Sequence, residues 1–152
     1  QGMVISPNND KIYFSQHGPR GGDNIGIIFK GGNYGWKDVA WGGTEYYGAK
    51  IGTSAFKKKY NKPIISWVPS IGVGQINFYK GQTFSEWNGD MLVGSTKEGL
   101  LIKLKIKENK IIDEEIIINQ TIGRIRDFEI DIKGDIYIVT DDFDSSLWRL
   151  YK

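Results

Sequence analysis

The sequence predicts an all-β protein assembled from small sheets of similar design, and three observations support this prediction. The 152 residues include 20 glycines, 8 tyrosines, 7 phenylalanines and 5 tryptophans, a composition typical of short strands joined by tight turns. Apolar residues alternate with lysines in one segment, which is the period of a strand. A strand–turn–strand pattern also recurs along the chain, and no segment shows a helical stripe of useful length.

The clearest strand covers residues 101–107, in which isoleucine and leucine alternate with lysine. Glu108 and Asn109 follow as a predicted turn. Residues 110–119 are predicted to run back as a second strand, because the segment is short and rich in β-branched isoleucine.

The strand–turn–strand pattern occurs in residues 4–15, 76–95 and 130–141. Tyr137 follows its aligned counterpart Leu92 by 45 residues, within the period of about 40–50 residues of a propeller blade. Leu92 follows Tyr13 by 79 residues, so we predict an insertion in the glycine- and aromatic-rich stretch of about residues 31–60. The pattern predicts a β-propeller of which this chain covers roughly two to three blades. Because one blade cannot bury its faces alone, and because the chain begins without an initiator methionine, we expect that it is part of a larger ring.

Arg124 and Arg126 are the most informative charged residues. Side chains at positions i and i+2 of a strand share one face, so both arginines are predicted to project together, with Ile125 on the other face. Two like charges that close repel each other unless an anion lies between them, and guanidinium groups bind carboxylate or phosphate bidentately. The pair therefore predicts an anion site, and the alternative is a pair of solvated surface arginines.

Composition excludes several classes of function. The formal net charge is only +2, so no basic surface argues for a nucleic-acid partner. The chain has no cysteine, which excludes disulfides and thiolate metal sites. No apolar run approaches the roughly 18 residues of a membrane-spanning helix.

Six short motifs occur in an order that resembles one known family. They are His17–Asp23 (HGPRGGD), Gly32–Trp36 (GNYGW), Trp67–Ser70 (WVPS), Gly94–Lys97 (GSTK), Gly123–Asp127 (GRIRD) and Tyr137–Asp141 (YIVTD). Together they resemble the C-terminal half of the soluble aldose sugar dehydrogenases of the glucose/sorbosone dehydrogenase family, which use pyrroloquinoline quinone (PQQ). The resemblance implies a six-bladed β-propeller, with residues 1–152 forming the C-terminal part of a single quinoprotein domain.

The resemblance implies a cofactor role for five residues. Arg124 and Arg126 are expected to bind the carboxylates of PQQ, and Lys97 to contact a carboxylate or quinone oxygen as a point charge. Trp67 matches an aromatic residue near the cofactor plane, where an indole offers a stacking surface. Asp141 matches a carboxylate close to the arginines.

Calcium is the second cofactor that the resemblance implies. The backbone carbonyls of Gly18 and Pro19 match the family's Gly-Pro ligands, and carbonyl oxygen suits a hard cation. Asp23 and Tyr34 match part of a second calcium site, but Asn24 replaces the expected glutamate, and the loss of one carboxylate is expected to weaken calcium binding there. Elsewhere, residues 141–144 carry three aspartates without the glycine and glutamate of an EF-hand, and we predict that they are solvated.

The implied activity is oxidation of an aldose at its anomeric carbon, with electrons passing to PQQ and then to an external acceptor. The family's general base is a histidine expected upstream of residue 1, so the single histidine, His17, is predicted to be structural. By resemblance the protein is expected to be periplasmic or secreted. The alternative is a non-enzymatic binding module of the same fold, which has no reason to keep Lys97, Arg124 and Arg126 together.

Overall fold

The computed structural model describes all residues from 1 to 152 and contains eleven strands, with one short 3-10 helix at Ser85–Trp87. The strands are β1 (Met3–Ile5), β2 (Ile12–Gln16), β3 (Asp23–Ile27), β4 (Ile65–Trp67), β5 (Val73–Phe78), β6 (Met91–Ser95), β7 (Leu100–Lys107), β8 (Lys110–Asn119), β9 (Ile125–Ile130), β10 (Ile136–Thr140) and β11 (Leu147–Leu150). No helix is long and apolar enough to cross a membrane.

The strands form three antiparallel sheets, in the orders β1-β2-β3-β4, β5-β6-β7-β8 and β9-β10-β11. The first strands of neighbouring sheets contact each other, β1 with β5 and β5 with β9. Sheets that lie side by side along their first strands are neighbouring blades of a β-propeller. The predicted fold is therefore confirmed, and the aligned residues Tyr13, Leu92 and Tyr137 all lie in the second strand of their blade.

Two apolar cores hold the three blades together. Twelve buried residues lie between the first and second blades, and eight lie between the second and third. Strand β6 contributes to both cores, because Met91 and Val93 point into the first and Leu92 points into the second. The middle blade is consequently apolar on both faces.

Residues 28–64 connect β3 to β4 and contain no strand, only an isolated bridge between Thr44 and Lys50. The predicted insertion of residues 31–60 falls within this connection. Asp38 fastens it, because its carboxylate accepts hydrogen bonds from the Lys57 ammonium and the Tyr60 hydroxyl. The bond from Lys57 is the main reason why the pKa of Asp38 falls to about 2.

Five loops meet at one end of the blades: residues 17–22, 68–72, 96–99, 120–124 and 141–146. Hydrogen bonds join them in sequence, from Lys97 to the Ser70 carbonyl and from the Asp141 amide to the Arg124 carbonyl. We call these five loops the rim. Every residue that was predicted to bind PQQ or the first calcium ion lies in the rim or within two residues of it. The Trp67 side chain, however, contacts Glu114 in the outermost strand of the second blade.

Candidate functional site

A buried carboxylate holds the first rim loop against the second blade. The Gly18 amide donates to Asp23 Oδ1 at 2.7 Å, and the Val73 amide donates to Asp23 Oδ2 at 2.8 Å. Asp23 is 1% exposed, and both of its oxygens are engaged by backbone donors. The residue therefore has a clear structural role as a clamp between β2–β3 and β5.

Glycine is required at two positions of this loop. A Cβ at Gly18 would lie 2.0 Å from the Gly21 carbonyl oxygen. Gly22 has φ +90°, and a Cβ there would lie 2.1 Å from the Ala40 carbonyl oxygen. The loop is thus folded tightly on itself and against the 28–64 connection.

Two carbonyl oxygens in this loop are largely free. The Gly18 carbonyl accepts one long bond, from Ser70 Oγ at 3.3 Å, and the Pro19 carbonyl accepts none. The structure contains no group of three or more His, Asp or Glu side chains that could hold a metal ion. A cation at this loop would therefore rest on carbonyl oxygens, which suit Ca²⁺.

The geometry supports the second calcium site, at Asp23 and Tyr34, less than it supports the first, at Gly18 and Pro19. The Tyr34 hydroxyl donates to the Ile27 carbonyl at 2.8 Å and accepts from the Phe29 amide at 3.0 Å. The Asn24 side chain donates to the Gly22 carbonyl at 2.8 Å. Backbone groups thus already engage these side chains, and a metal role for Asp23 and Tyr34 stays a prediction.

Lys97 lies in an open cleft of about 370 Å³ that Gly18, Pro19 and Arg20 also line. Its ammonium group is 2.9 Å from the Ser70 carbonyl oxygen and 3.1 Å from Glu98 Oε1. The side chain is 53% exposed, so the charge stands at the cleft and is available to a ligand. The structure thus brings the predicted lysine and the predicted calcium carbonyls into one cleft.

The two arginines stand on the solvent side of β9, while Ile125 between them is fully buried. Asp141 Oδ2 lies 3.9 Å from Arg124 and 3.8 Å from the Arg126 guanidinium. The Arg124 Nε also donates to the Asp141 carbonyl at 3.1 Å. Asp141 thus faces two guanidinium groups at long range, so both guanidinium groups keep N–H donors that are free to bind an anion.

Asp142 is exposed, as predicted, and it also has a structural partner. Its Oδ2 accepts a 2.7 Å hydrogen bond from the Arg124 amide. The bond satisfies a backbone donor just before β9 and fixes the direction in which the Arg124 side chain leaves the strand. Asp142 is therefore a positioning group for the arginine pair.

His17 and Trp67 make other contacts. His17 Nε2 lies 2.7 Å from the Val73 carbonyl, to which it must donate because a carbonyl oxygen only accepts. The Trp67 indole donates to Glu114 Oε1 at 3.0 Å, which links the outermost strands of the first two blades. Trp67 does not line the Lys97 cleft, and its expected stacking role stays a prediction.

Two large side chains that line the cleft, Arg20 and Tyr46, were not predicted from the sequence. Arg20 lies inside a motif that drew attention for its glycines and proline. Tyr46 lies in the 28–64 connection, and only the unusual run Tyr46-Tyr47-Gly48 in a glycine-rich stretch could have signalled it.

Comparisons with known proteins show which proteins this chain resembles. Aldose sugar dehydrogenase YliI of Escherichia coli (strain K12) is 31% identical over 152 residues, which cover 99% of this chain and 41% of that protein. Quinoprotein glucose dehydrogenase B of Acinetobacter calcoaceticus is 50% identical over 40 residues, 26% of this chain and 8% of that protein. The crystal structure of the soluble aldose sugar dehydrogenase from Escherichia coli, in its apo-form, matches with a TM-score of 0.90 and 32% identity, over 98% of this chain and 43% of that one.

The chain thus spans about two fifths of the length of the long-matching relative and of the solved structure. A sequence model described as Glucose / Sorbosone dehydrogenase matches residues 1–149, nearly the entire chain. With the three propeller blades and the cationic rim, this match establishes that the chain belongs to the glucose/sorbosone dehydrogenase family.

Proposed function

We propose that this chain forms much of the cofactor cradle of a sugar-oxidising quinoprotein that binds PQQ and calcium. One observation carries the proposal: Arg124 and Arg126 share a single carboxylate at 3.8–3.9 Å, at the same rim as the Lys97 cleft. PQQ is a planar molecule with three carboxylates, and two guanidinium groups on one face suit such a ligand.

Each rim group has a distinct task in this proposal. Arg124 and Arg126 hold carboxylates, and Asp142 keeps Arg124 in place through its backbone amide. Lys97 supplies a third positive charge near the free carbonyls of Gly18 and Pro19, which would hold Ca²⁺. When bound, PQQ would supply the two-electron acceptor for sugar oxidation.

The reaction that we propose is oxidation of an aldose at its anomeric carbon, with an external electron acceptor. It is proposed for the complete protein, because this chain spans only about two fifths of the length of its long-matching relative and the family resemblance implies a general-base histidine in the remaining part. A periplasmic or secreted location is part of the same proposal and rests on the family resemblance.

The test is a PQQ titration of the complete apoprotein in the presence of calcium. Arg126→Ala removes a charge-assisted partner worth about 1.5–3 kcal/mol, so PQQ affinity should fall roughly ten- to hundred-fold. Lys105→Ala is the matched control, since it removes an exposed charge from β7 that makes no ion pair.

Equal PQQ affinity for Arg126→Ala and wild type would show that the cradle assignment is wrong. A complete protein that binds no quinone and oxidises no aldose would instead favour the binding-module alternative.

A further inference from the structure

A tight turn carries Tyr46 over the rim cleft. Thr44 and Lys50 form an antiparallel bridge, the Glu45 amide donates to the Ala49 carbonyl at 2.9 Å, and the Gly48 amide donates back to the Glu45 carbonyl at 2.9 Å. Three mutually supporting backbone contacts within seven residues give this segment a defined shape, although it belongs to a long irregular connection.

The turn is attached directly to the loop with the free carbonyls. The Arg20 amide donates to the Thr44 carbonyl at 3.0 Å. A Cβ at Gly43 would lie 1.9 Å from the Gly21 carbonyl oxygen, so the two backbones are in direct contact there. The position of Tyr46 relative to Gly18 and Pro19 is consequently set by backbone contacts.

Tyr46 is the single Phe, Tyr or Trp side chain among the residues that line the cleft. It is 77% exposed, and its neighbour Tyr47 is 82% exposed but does not line the cleft. A large, rigidly carried aromatic ring that stays in solvent beside polar groups is typical of a ligand contact.

We propose that Tyr46 forms the sugar-facing wall of the cleft and determines affinity for the aldose. This inference rests on the proposed function and names a substrate contact within it. A sugar ring presents apolar C–H groups on its faces and hydroxyls at its edge, so it matches an aromatic face beside polar donors. Arg20 supplies such donors, because it lines the same cleft and its guanidinium, which lies beside Gly48 of the turn, makes no ion pair or side-chain hydrogen bond.

The experiment uses the complete protein reconstituted with PQQ and calcium. Tyr46→Ala should raise KM for the aldose about tenfold and change kcat less than about twofold, because a stacking wall binds the ground state and the transition state alike. Tyr46→Phe keeps the ring and should stay within about twofold of wild type in both parameters. Tyr47→Ala is the matched control and should leave KM unchanged.

A binding measurement separates this inference from the proposed function. Saturation-transfer NMR on the calcium-loaded apoprotein should show contact with the aldose ring protons in wild type and its loss in Tyr46→Ala. An unchanged KM and an unchanged NMR signal in Tyr46→Ala would overturn the inference, as would an equal KM increase in Tyr47→Ala. Failure of wild type to bind PQQ would overturn the proposed function, and the NMR comparison would then decide the role of Tyr46 alone.

Discussion

Asp38 fastens a segment that has almost no regular secondary structure. Its carboxylate accepts hydrogen bonds from Lys57 and Tyr60, and Lys59 lies 3.4 Å away. Three partners from one stretch of chain thus close residues 38–60 into a loop, and the bond from Lys57 holds the pKa of Asp38 at about 2.

The lowered pKa of Asp38 predicts the pH range in which acid weakens its hydrogen bonds to Lys57 and Tyr60. The pKa of Asp38 falls from its ordinary value of 3.8 to about 2 in the folded protein, so its contribution to stability is present above pH 3.8 and is lost as the pH falls to about 2. We expect Asp38→Asn to unfold at lower urea concentration than wild type at pH 7, and the difference should shrink between pH 3.8 and pH 2.

Urea unfolding curves of the complete protein at several pH values check this prediction. Asp113→Asn is the control, because the Asp113 carboxylate is exposed and forms no ion pair. A difference between wild type and Asp38→Asn that stays constant from pH 7 to pH 2 would contradict the assigned role.

The alternation of side chains along a strand was enough to predict that Arg124 and Arg126 share a face opposite Ile125. It could not predict Asp142 as the partner of the Arg124 amide, because that bond joins residues 18 positions apart through the packing of β9 on β10. Nor could it predict that Asp23 would clamp the first rim loop, since both donors depend on how the loop meets β5.

A single tyrosine couples two blades at the end opposite the rim. Tyr79 follows β5, is fully buried, and donates through its hydroxyl to the Gly134 carbonyl in the β9–β10 turn at 2.7 Å. The same hydroxyl accepts from the Phe84 amide at 3.0 Å. Gly134 has φ +102°, and a Cβ there would lie 2.3 Å from the hydroxyl, so only glycine lets the turn approach.

Tyr79→Phe should therefore lower the free energy of unfolding by about 1–3 kcal/mol, because it leaves a buried donor and a buried acceptor without partners. Tyr13→Phe is the matched control: Tyr13 is also fully buried, but its hydroxyl makes only two long hydrogen bonds, to Asn109 Oδ1 at 3.4 Å and from the Asn9 side-chain amide at 3.5 Å. Chemical denaturation of the complete protein measures both losses. If Tyr13→Phe costs as much as Tyr79→Phe, the coupling assigned to the Tyr79 hydroxyl is wrong.

Elements with strict alternation or β-branched residues were predictable, as β7 and β8 show. Strand β6 is harder, because Met91, Leu92 and Val93 are all buried and alternate between two cores. The path of residues 28–64 was not predictable at all. Its return to Gly21 depends on backbone contacts with a loop more than 20 positions earlier, which no local pattern encodes.

The outer faces of the first and third blades expose large apolar side chains. Met3 and Ile5 are 66% and 63% exposed on the first blade, and Val139 and Leu147 are 45% and 70% exposed on the third. Surface of this kind, together with unpaired strand edges, promotes association. The sequence predicted two to three related sheets, but the packing between them follows from side chains that no single repeat specifies.

A polypeptide limited to residues 1–152 should accordingly be oligomeric, poorly soluble or incompletely folded when it is produced alone. Sedimentation velocity and thermal unfolding measure these properties. A monodisperse monomer with a sharp, cooperative melting transition would contradict the expectation.

The contact between Gly21 and Gly43 separates the first rim loop, which holds the predicted calcium carbonyls, from a neighbouring turn that is free to diverge in sequence. Residues 44–50 project beyond this contact, and the backbone bonds that shape their turn are mostly internal to it. On the proposed function, natural variants or designed libraries can exchange this turn and acquire new sugar preferences, while the residues that retain quinone and calcium keep their arrangement. Changes in substrate range would then be confined to one short surface segment, and the residues proposed to bind the quinone would stay unchanged.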